Sequence, residues 1–329
     1  GFLADRAGFQ VAMKFAVVLI SASSFLRGLS TSYKFFLLSQ LLLGVGFAGV
    51  IPCLARLVSV LFRGRAGLAT GLYASGLPAG ELVGLWVTPY LASAGGWRFP
   101  PKLYSVWATA IAVAWWVVRG VADTERFKPG FKGFFRFKQL WVLVGLCILS
   151  MGAYDTVLTW LPGLLELRGF SLLRASLLSS TFPLGFLVAG LTIGYLSDLV
   201  GLRKPFICGL GLSGFFSLVL LQLSPSGFLP LAVFLSGFSL SGVLTLIFAI
   251  PTEDPVLSKL AGGVVGFISS LGNLGSFTFP VLVGLLLDFT GSTVLPVLFL
   301  AFTSGVIPVL NLMLGETGWR GVKRFKPTF

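Results

Sequence analysis

Two carboxylates stand where carboxylates are expensive. Glu81 and Asp155 each lie near the middle of a long apolar stretch. Glu81 is about 13 residues, roughly 20 Å at 1.5 Å per helical residue, from the N-terminal end of its stretch. An ionisable group at that depth in a bilayer costs several kcal/mol unless it faces a cavity or a partner. Each is therefore a candidate to bind a proton or sodium ion, or to contact a cationic group. The alternative is a buried side chain, protonated or hydrogen-bonded to a nearby carbonyl. Thr159, one turn after Asp155, and the adjacent Trp160 add a polar and aromatic patch suited to a substrate cavity. Arg56 is the cation set well inside an apolar stretch. It has the geometry to hold a carboxylate or phosphate by paired hydrogen bonds, but it also lies close enough to Arg63 to snorkel out. Gln40 precedes it by 16 residues, about 160° around an ideal helix, so the two do not meet one ligand unless the intervening Pro52 kinks the helix.

Other chemistries are excluded by what is missing. The chain contains no histidine, which removes Ser–His catalysis, imidazole relays and zinc sites that use histidine. Cys53, Cys147 and Cys208 lie inside apolar stretches without metal-ligand spacing and read as small packing residues. Gly44-Val-Gly46-Phe-Ala-Gly49 and Gly209-Leu-Gly211-Leu-Ser-Gly214 match a dinucleotide fingerprint in letters only. Neither follows a strand, and both read as packing glycines. No Walker A sequence, nucleophile–base pair or cofactor site is visible, so neither an enzyme nor an ATP-driven pump is expected.

The elements that must position these residues are membrane helices. Of 329 residues, 56% are hydrophobic and 11% charged, a composition that belongs in lipid. Ten apolar stretches reach the length that a bilayer core requires: 11–30, 35–61, 68–93, 103–121, 139–161, 175–196, 206–223, 228–250, 261–287 and 293–314. Glycine and proline recur inside them, as bundled membrane helices tolerate. The net charge of +13 does not indicate a nucleic-acid partner, because the basic residues alternate between loops. With the first loop cytoplasmic, Arg27, Lys34, Arg98, Lys102, Arg168 and Arg174 lie outside, and Arg56 lies within a span. The other 17 of the 24 Lys and Arg then lie inside. Both termini of this chain are then cytoplasmic, in a cell-membrane protein. The basic run Arg119 to Lys138 is expected to rest on anionic lipid headgroups. The chain is expected to act as a monomer.

An internal repeat is the most informative feature. Gly1-Phe-Leu-Ala-Asp5-Arg6-Ala-Gly8 and Gly194-Tyr-Leu-Ser-Asp198-Leu-Val-Gly201-Leu-Arg203-Lys204 place Gly, Leu, Asp and Gly at the same offsets, 193 residues apart. The chain reads as two related halves: an N-terminal bundle over 1–121, a basic linker over 122–138, and a six-helix bundle with a short basic tail over 139–329. The repeated pattern resembles the loop motif of the major facilitator superfamily. The second copy matches fully, whereas Phe9 and Gln10 stand where the first copy would have basic residues. Pro52 to Arg56, Gly71-x4-Gly76-x3-Gly80, Thr159-Trp160-Leu-Pro162 and Pro280-x3-Gly284-x3-Asp288-x2-Gly291 are similar to other parts of the family.

The resemblance implies an all-α polytopic membrane protein with a two-bundle fold, its ten transmembrane helices corresponding to helices 3 to 12 of twelve. The first two are then expected to be absent. It also implies that Asp155 lines the cavity, and that Gly76, Gly80 and Gly84 pack near Gly185, Ala189 and Gly190. By the same resemblance the motif residues Gly1, Asp5, Arg6, Gly8, Gly194, Asp198, Gly201, Arg203 and Lys204 act as a conformational latch, with Asp198→Asn expected to favour cytoplasmic-side opening. Gln40 stands where many proton-coupled members carry arginine. The leading expectation is a secondary transporter moving a small solute by alternating access, coupled to a proton or sodium ion. Its rival is a non-transporting scaffold, sensor or fragment. Arg56 favours an anionic substrate, whereas Glu81 and Asp155 favour a cation or proton.

Overall fold

The computed structural model describes residues 9–61, 66–117, 137–223, 227–253 and 261–316, and no strand occurs among them. The chain divides into two compact units, Gly1–Lys128 and Pro129–Phe329. The first holds α1 (Phe9–Leu29), α2 (Tyr33–Leu61), α3 (Ala66–Gly95) and α4 (Phe99–Val117). The second holds α5 (Lys138–Leu167), α6 (Leu172–Ser179), α7 (Thr181–Val200), α8 (Lys204–Leu223), α9 (Leu229–Glu253), α10 (Ala261–Thr290) and α11 (Val294–Asn311).

Among the described residues, eight helical stretches are long and apolar enough to cross a bilayer, α6 and α7 together forming one of them. With α3 and α4 the set matches the ten expected spans. Side chains on the outer faces are as apolar as the core: Leu191 is 80%, Phe277 75% and Phe289 84% exposed. Such a surface would drive association in water and costs nothing against lipid tails.

Several boundaries differ from the expected ones, and prolines explain most of the differences. Helix α4 starts four residues early because Pro100 and Pro101 occupy its first turn, where a missing N–H is harmless. The preceding turn is made by Gly96, at φ +72°, a left-handed conformation that costs glycine nothing. Helix α5 continues through Pro162 to Leu167 rather than stopping before it. The break between α6 and α7 falls at Ser180, three residues before Pro183, which cannot donate to the carbonyl of Ser179. Hydroxyls reinforce the bend: Ser179, Ser180 and Thr181 each donate to a carbonyl three or four residues back.

In the first unit α1 packs against α2 and α4, and Ser21 joins Thr109 across the α1–α4 contact at 2.6 Å. In the second, α5 packs against α10 and α11, α7 against α9, and α8 against α9 and α11. Glycines set the closest approaches. A Cβ on Gly237 would lie 2.1 Å from Phe182 O, and one on Gly185 2.3 Å from Phe234 O. Gly185 is thus taken up by α9 inside its own unit. Added Cβ atoms on Gly76, Gly80, Gly84 and Gly190 would meet nothing within 4 Å. The fingerprint-like strings also divide: Gly46, Gly49, Gly211 and Gly214 pack against neighbours, whereas Gly44 and Gly209 do not. All three cysteines are free, Cys53 and Cys147 buried and Cys208 partly so.

Candidate functional site

The candidate residues on α5 are assembled by its seam with α10. Asp155 lies 17 residues after Lys138 and 12 before Leu167, about 26 and 18 Å from the two ends. The helices come this close because glycines face each other. A Cβ on Gly275 would lie 2.1 Å from Ile148 O and 3.1 Å from Gly152 Cα, and one on Gly272 2.6 Å from Cys147 Sγ. That proximity brings the Ser276 hydroxyl of α10 to the Asp155 carboxyl. Ser276 Oγ is buried and meets strict hydrogen-bond geometry with no protein group. Among the described residues no cation pairs with Asp155.

Thr159 and Trp160 take defined parts in this seam. Thr159 Oγ1 donates to the Asp155 backbone carbonyl at 2.7 Å, leaving the hydroxyl lone pairs open on an exposed face. Trp160 Nε1 donates to Pro280 O at 3.1 Å across the seam. A Cβ on Gly284 would lie 3.2 Å from its ring, so a larger residue there would press on the indole. The indole N–H is therefore engaged in holding α5 to α10. Sequence reasoning missed Ser276. The signal was present: Ser269, Asn273 and Ser276 recur at spacings of four and three in an otherwise apolar helix, which puts them on one face.

The remaining candidates lie in the first unit. Glu81 sits at the centre of α3, 15 residues after Ala66 and 14 before Gly95, with a half-buried side chain. Gln40 is half-buried on α2. Arg56 also belongs to α2, but its side chain lies outside the described residues, as do Gly1, Asp5, Arg6 and Gly8.

The second motif copy folds into a compact cap. Helix α7 ends on Gly201 at φ +72°, whose N–H bonds Ser197 O. Ser197 Oγ then donates to Leu202 O at 2.8 Å and accepts from Arg203 Nη1 at 2.8 Å. The Arg203 guanidinium is buried and pairs with the exposed Asp198 carboxylate. Glu316, which sequence reasoning did not single out, accepts from the Arg203 N–H at 2.6 Å and the Lys204 N–H at 3.2 Å. A carboxylate there complements the positive end of α8. Lys204 Nζ donates to Leu312 O and Leu314 O at 3.2 and 2.6 Å, at the end of α11. One element thus ties together the α7–α8 loop and the C-terminal end of α11.

At the opposite end of this unit, Arg168 Nη1 donates to Leu221 O at 2.7 Å, and Nη2 bonds the Gln222 side chain. The guanidinium so satisfies carbonyls at the end of α8. Burial lowers its pKa from the ordinary arginine value, a shift that leaves it charged.

Long apolar helices with lipid-suited outer faces define a polytopic helical membrane protein. The chain belongs to the Major Facilitator Superfamily, whose family model matches residues 1–180 and 169–326. It is 24% identical over 295 residues to the sialic acid transporter NanX of Escherichia coli (strain K12), covering 86% of this chain and 72% of that one. To the gentisate transporter of Corynebacterium glutamicum it is 23% identical, covering 87% and 68%. To the probable nitrate/nitrite antiporter NarK1 of Thermus thermophilus it is 26% identical, covering 88% and 73%. Among solved structures it superposes on the E. coli fucose:proton symporter FucP with a TM-score of 0.64 at 12% identity, covering 95% of this chain and 85% of that one.

Proposed function

We propose that this protein is a secondary transporter that moves a small anionic solute by alternating access and exchanges a proton at Asp155 during the cycle. The observation that carries the reading is the α5–α10 seam. A mid-membrane carboxyl without a cationic partner among the described residues faces a buried, otherwise unbonded hydroxyl, with an open threonine one turn away. Membrane carboxyls with no structural counter-charge are characteristic of ion and proton pathways. The anionic substrate is supported by the three similar transporters named above, whose names give an acid, a carboxylate and nitrate or nitrite. Arg56, Gln40 and Glu81 are the proposed substrate or ion contacts of the first bundle, with 122–138 as the linker between the halves. The location proposed is the cell membrane with both termini of this chain cytoplasmic, supported by the distribution of basic residues.

The test is uptake of sialic acid, gentisate and nitrate into proteoliposomes under an inward proton gradient. The wild type should accumulate at least one of them. Asp155→Asn should keep exchange of that solute at equilibrium while losing gradient-driven accumulation. Accumulation by Asp155→Asn equal to wild type would refute the proton role. Failure of every anion, with uptake of a neutral or cationic solute, would refute the anionic reading.

A further inference from the structure

Four of the cations assigned to the outside loops gather at one end of the first unit, where α1 leads into α2 and α3 into α4. Arg27 lies in the last turn of α1, Lys34 in the first turn of α2, Arg98 just before α4, and Lys102 in the first turn of α4. Among the described residues no carboxylate pairs with them; the acidic residues of the sequence up to residue 117 are Asp5 and Glu81, and Glu81 lies 14 residues before the end of α3. Positive charge at this end also runs against the topological preference that places basic residues on the other side.

Arg98 lines a cavity of about 370 Å³ together with Ser30, Thr31, Ser32, Tyr33, Phe36 and Trp97, within the roughly 300–1,000 Å³ of small-ligand pockets; Arg27 lies against the lining Phe36, and Lys34 follows the lining Tyr33 in sequence. Its walls are pre-organised. Arg98 Nε donates to Ser30 O at 2.7 Å and its guanidinium lies 4.4 Å from the Trp97 ring centre. One edge of the fork is thus fixed, and both Nη groups are left without a protein acceptor among the described residues. Trp97 meets Phe36 edge-on at 5.9 Å, and the Arg27 guanidinium lies 5.8 Å from the Phe36 ring. Arg27 Nε is buried with no hydrogen-bond partner. The stem of Lys102 lies against Gly28, near the end of α1. Two guanidiniums held on aromatic faces with unfilled donors, with Lys34 and Lys102 close to them in sequence, suit an oxyanion.

We infer that this pocket binds a phosphate-type oxyanion at the outer membrane surface, presented either by an anionic phospholipid headgroup or by a free organic phosphate. The aromatic wall suits a group at the boundary between headgroups and water, where aromatic side chains gather. The pocket lies entirely within the first unit and is separate from the α5–α10 seam.

The experiment uses the detergent-purified full chain, a photoactivatable phosphatidylglycerol, a matched photoactivatable phosphatidylcholine, and peptide mapping, which separates this end from the basic linker. The expected result is labelling of peptides spanning 30–36 and 97–102 by phosphatidylglycerol in excess over phosphatidylcholine, or suppression of any labelling there by glycerol 1-phosphate. Each cation near an anionic surface contributes a factor of roughly five. Lys34→Gln/Lys102→Gln should therefore weaken binding about 25-fold, with the Arg98–Ser30 bond left intact. Arg98→Gln should weaken it further. Competition by glycerol 1-phosphate identifies a free organic phosphate as the ligand, and its absence identifies the lipid headgroup. Equal labelling by the two lipids without competition, or unchanged labelling in the double lysine variant, overturns the inference.

Discussion

Gly275→Ala is the sharpest probe of the seam that holds Asp155. The added methyl would sit 2.1 Å from Ile148 O, 2.9 Å from Ile148 C and 3.1 Å from Gly152 Cα, all backbone atoms that no rotamer change can move. An ordinary contact near 3.5 Å requires α10 to retreat from α5 by roughly 1.4 Å. A displacement of that size stretches the 3.1 Å Trp160–Pro280 bond beyond hydrogen-bonding distance, a loss of about 1 kcal/mol. Overpacking adds about 1–3 kcal/mol. The sum, about 2–4 kcal/mol, corresponds to a fall in thermal midpoint of roughly 5–15 °C. The assay is thermal unfolding in detergent, with Gly163→Ala on the same α5 as control. A Cβ at Gly163 meets nothing within 4 Å, so that change should be neutral or stabilise by up to about 1 kcal/mol through helix propensity. Equal midpoints for the two variants would show that the α5–α10 approach is not glycine-limited and would refute the reasoning.

Three further outcomes follow from contacts around the seam and the caps. Trp160→Phe removes the donor to Pro280 O and should cost about 1–3 kcal/mol, read as a lower thermal midpoint with helix content unchanged by circular dichroism. Arg168→Gln should lose about 1.5–3 kcal/mol from the carbonyl cap on α8. Arg168→Lys should recover less than half of that, since a point charge cannot reproduce the fork; full recovery would refute the capping role. Glu316→Gln removes the charge facing the start of α8 and should cost about 0.5–1 kcal/mol at low salt. Thermal melts in 1 M salt should narrow the gap between variant and wild type.

The helices were legible in the sequence because a bilayer imposes one crude requirement, about 20 apolar residues per crossing, and that pattern survives without knowledge of neighbours. Errors fell at prolines. Pro162 looked like a terminus and lies inside α5, whereas Pro100 and Pro101 looked like loop and open α4. A proline's effect depends on which carbonyl it leaves unbonded, and only the folded surroundings settle whether that matters. Asp155, Thr159 and Trp160 were legible as candidates because polar groups are rare in such segments. Their partners were not, since Ser276 lies 121 residues away and Pro280 lies 120 residues from the indole it accepts from.

Glu316 shows the same division. A single carboxylate after a helix carries no pattern, and its role arises only because α11 ends beside the start of α8. By itself the sequence determined the membrane class, the repeat of the loop motif and the short list of costly polar residues. These follow from transfer free energies, which act residue by residue. Only the tertiary structure decided which glycines bring helices together and where the Trp160 N–H is used. It also decided that Arg27 and Arg98, remote in sequence, flank one aromatic-walled pocket. Those outcomes depend on distances between segments remote in sequence, which close packing sets and local composition does not encode.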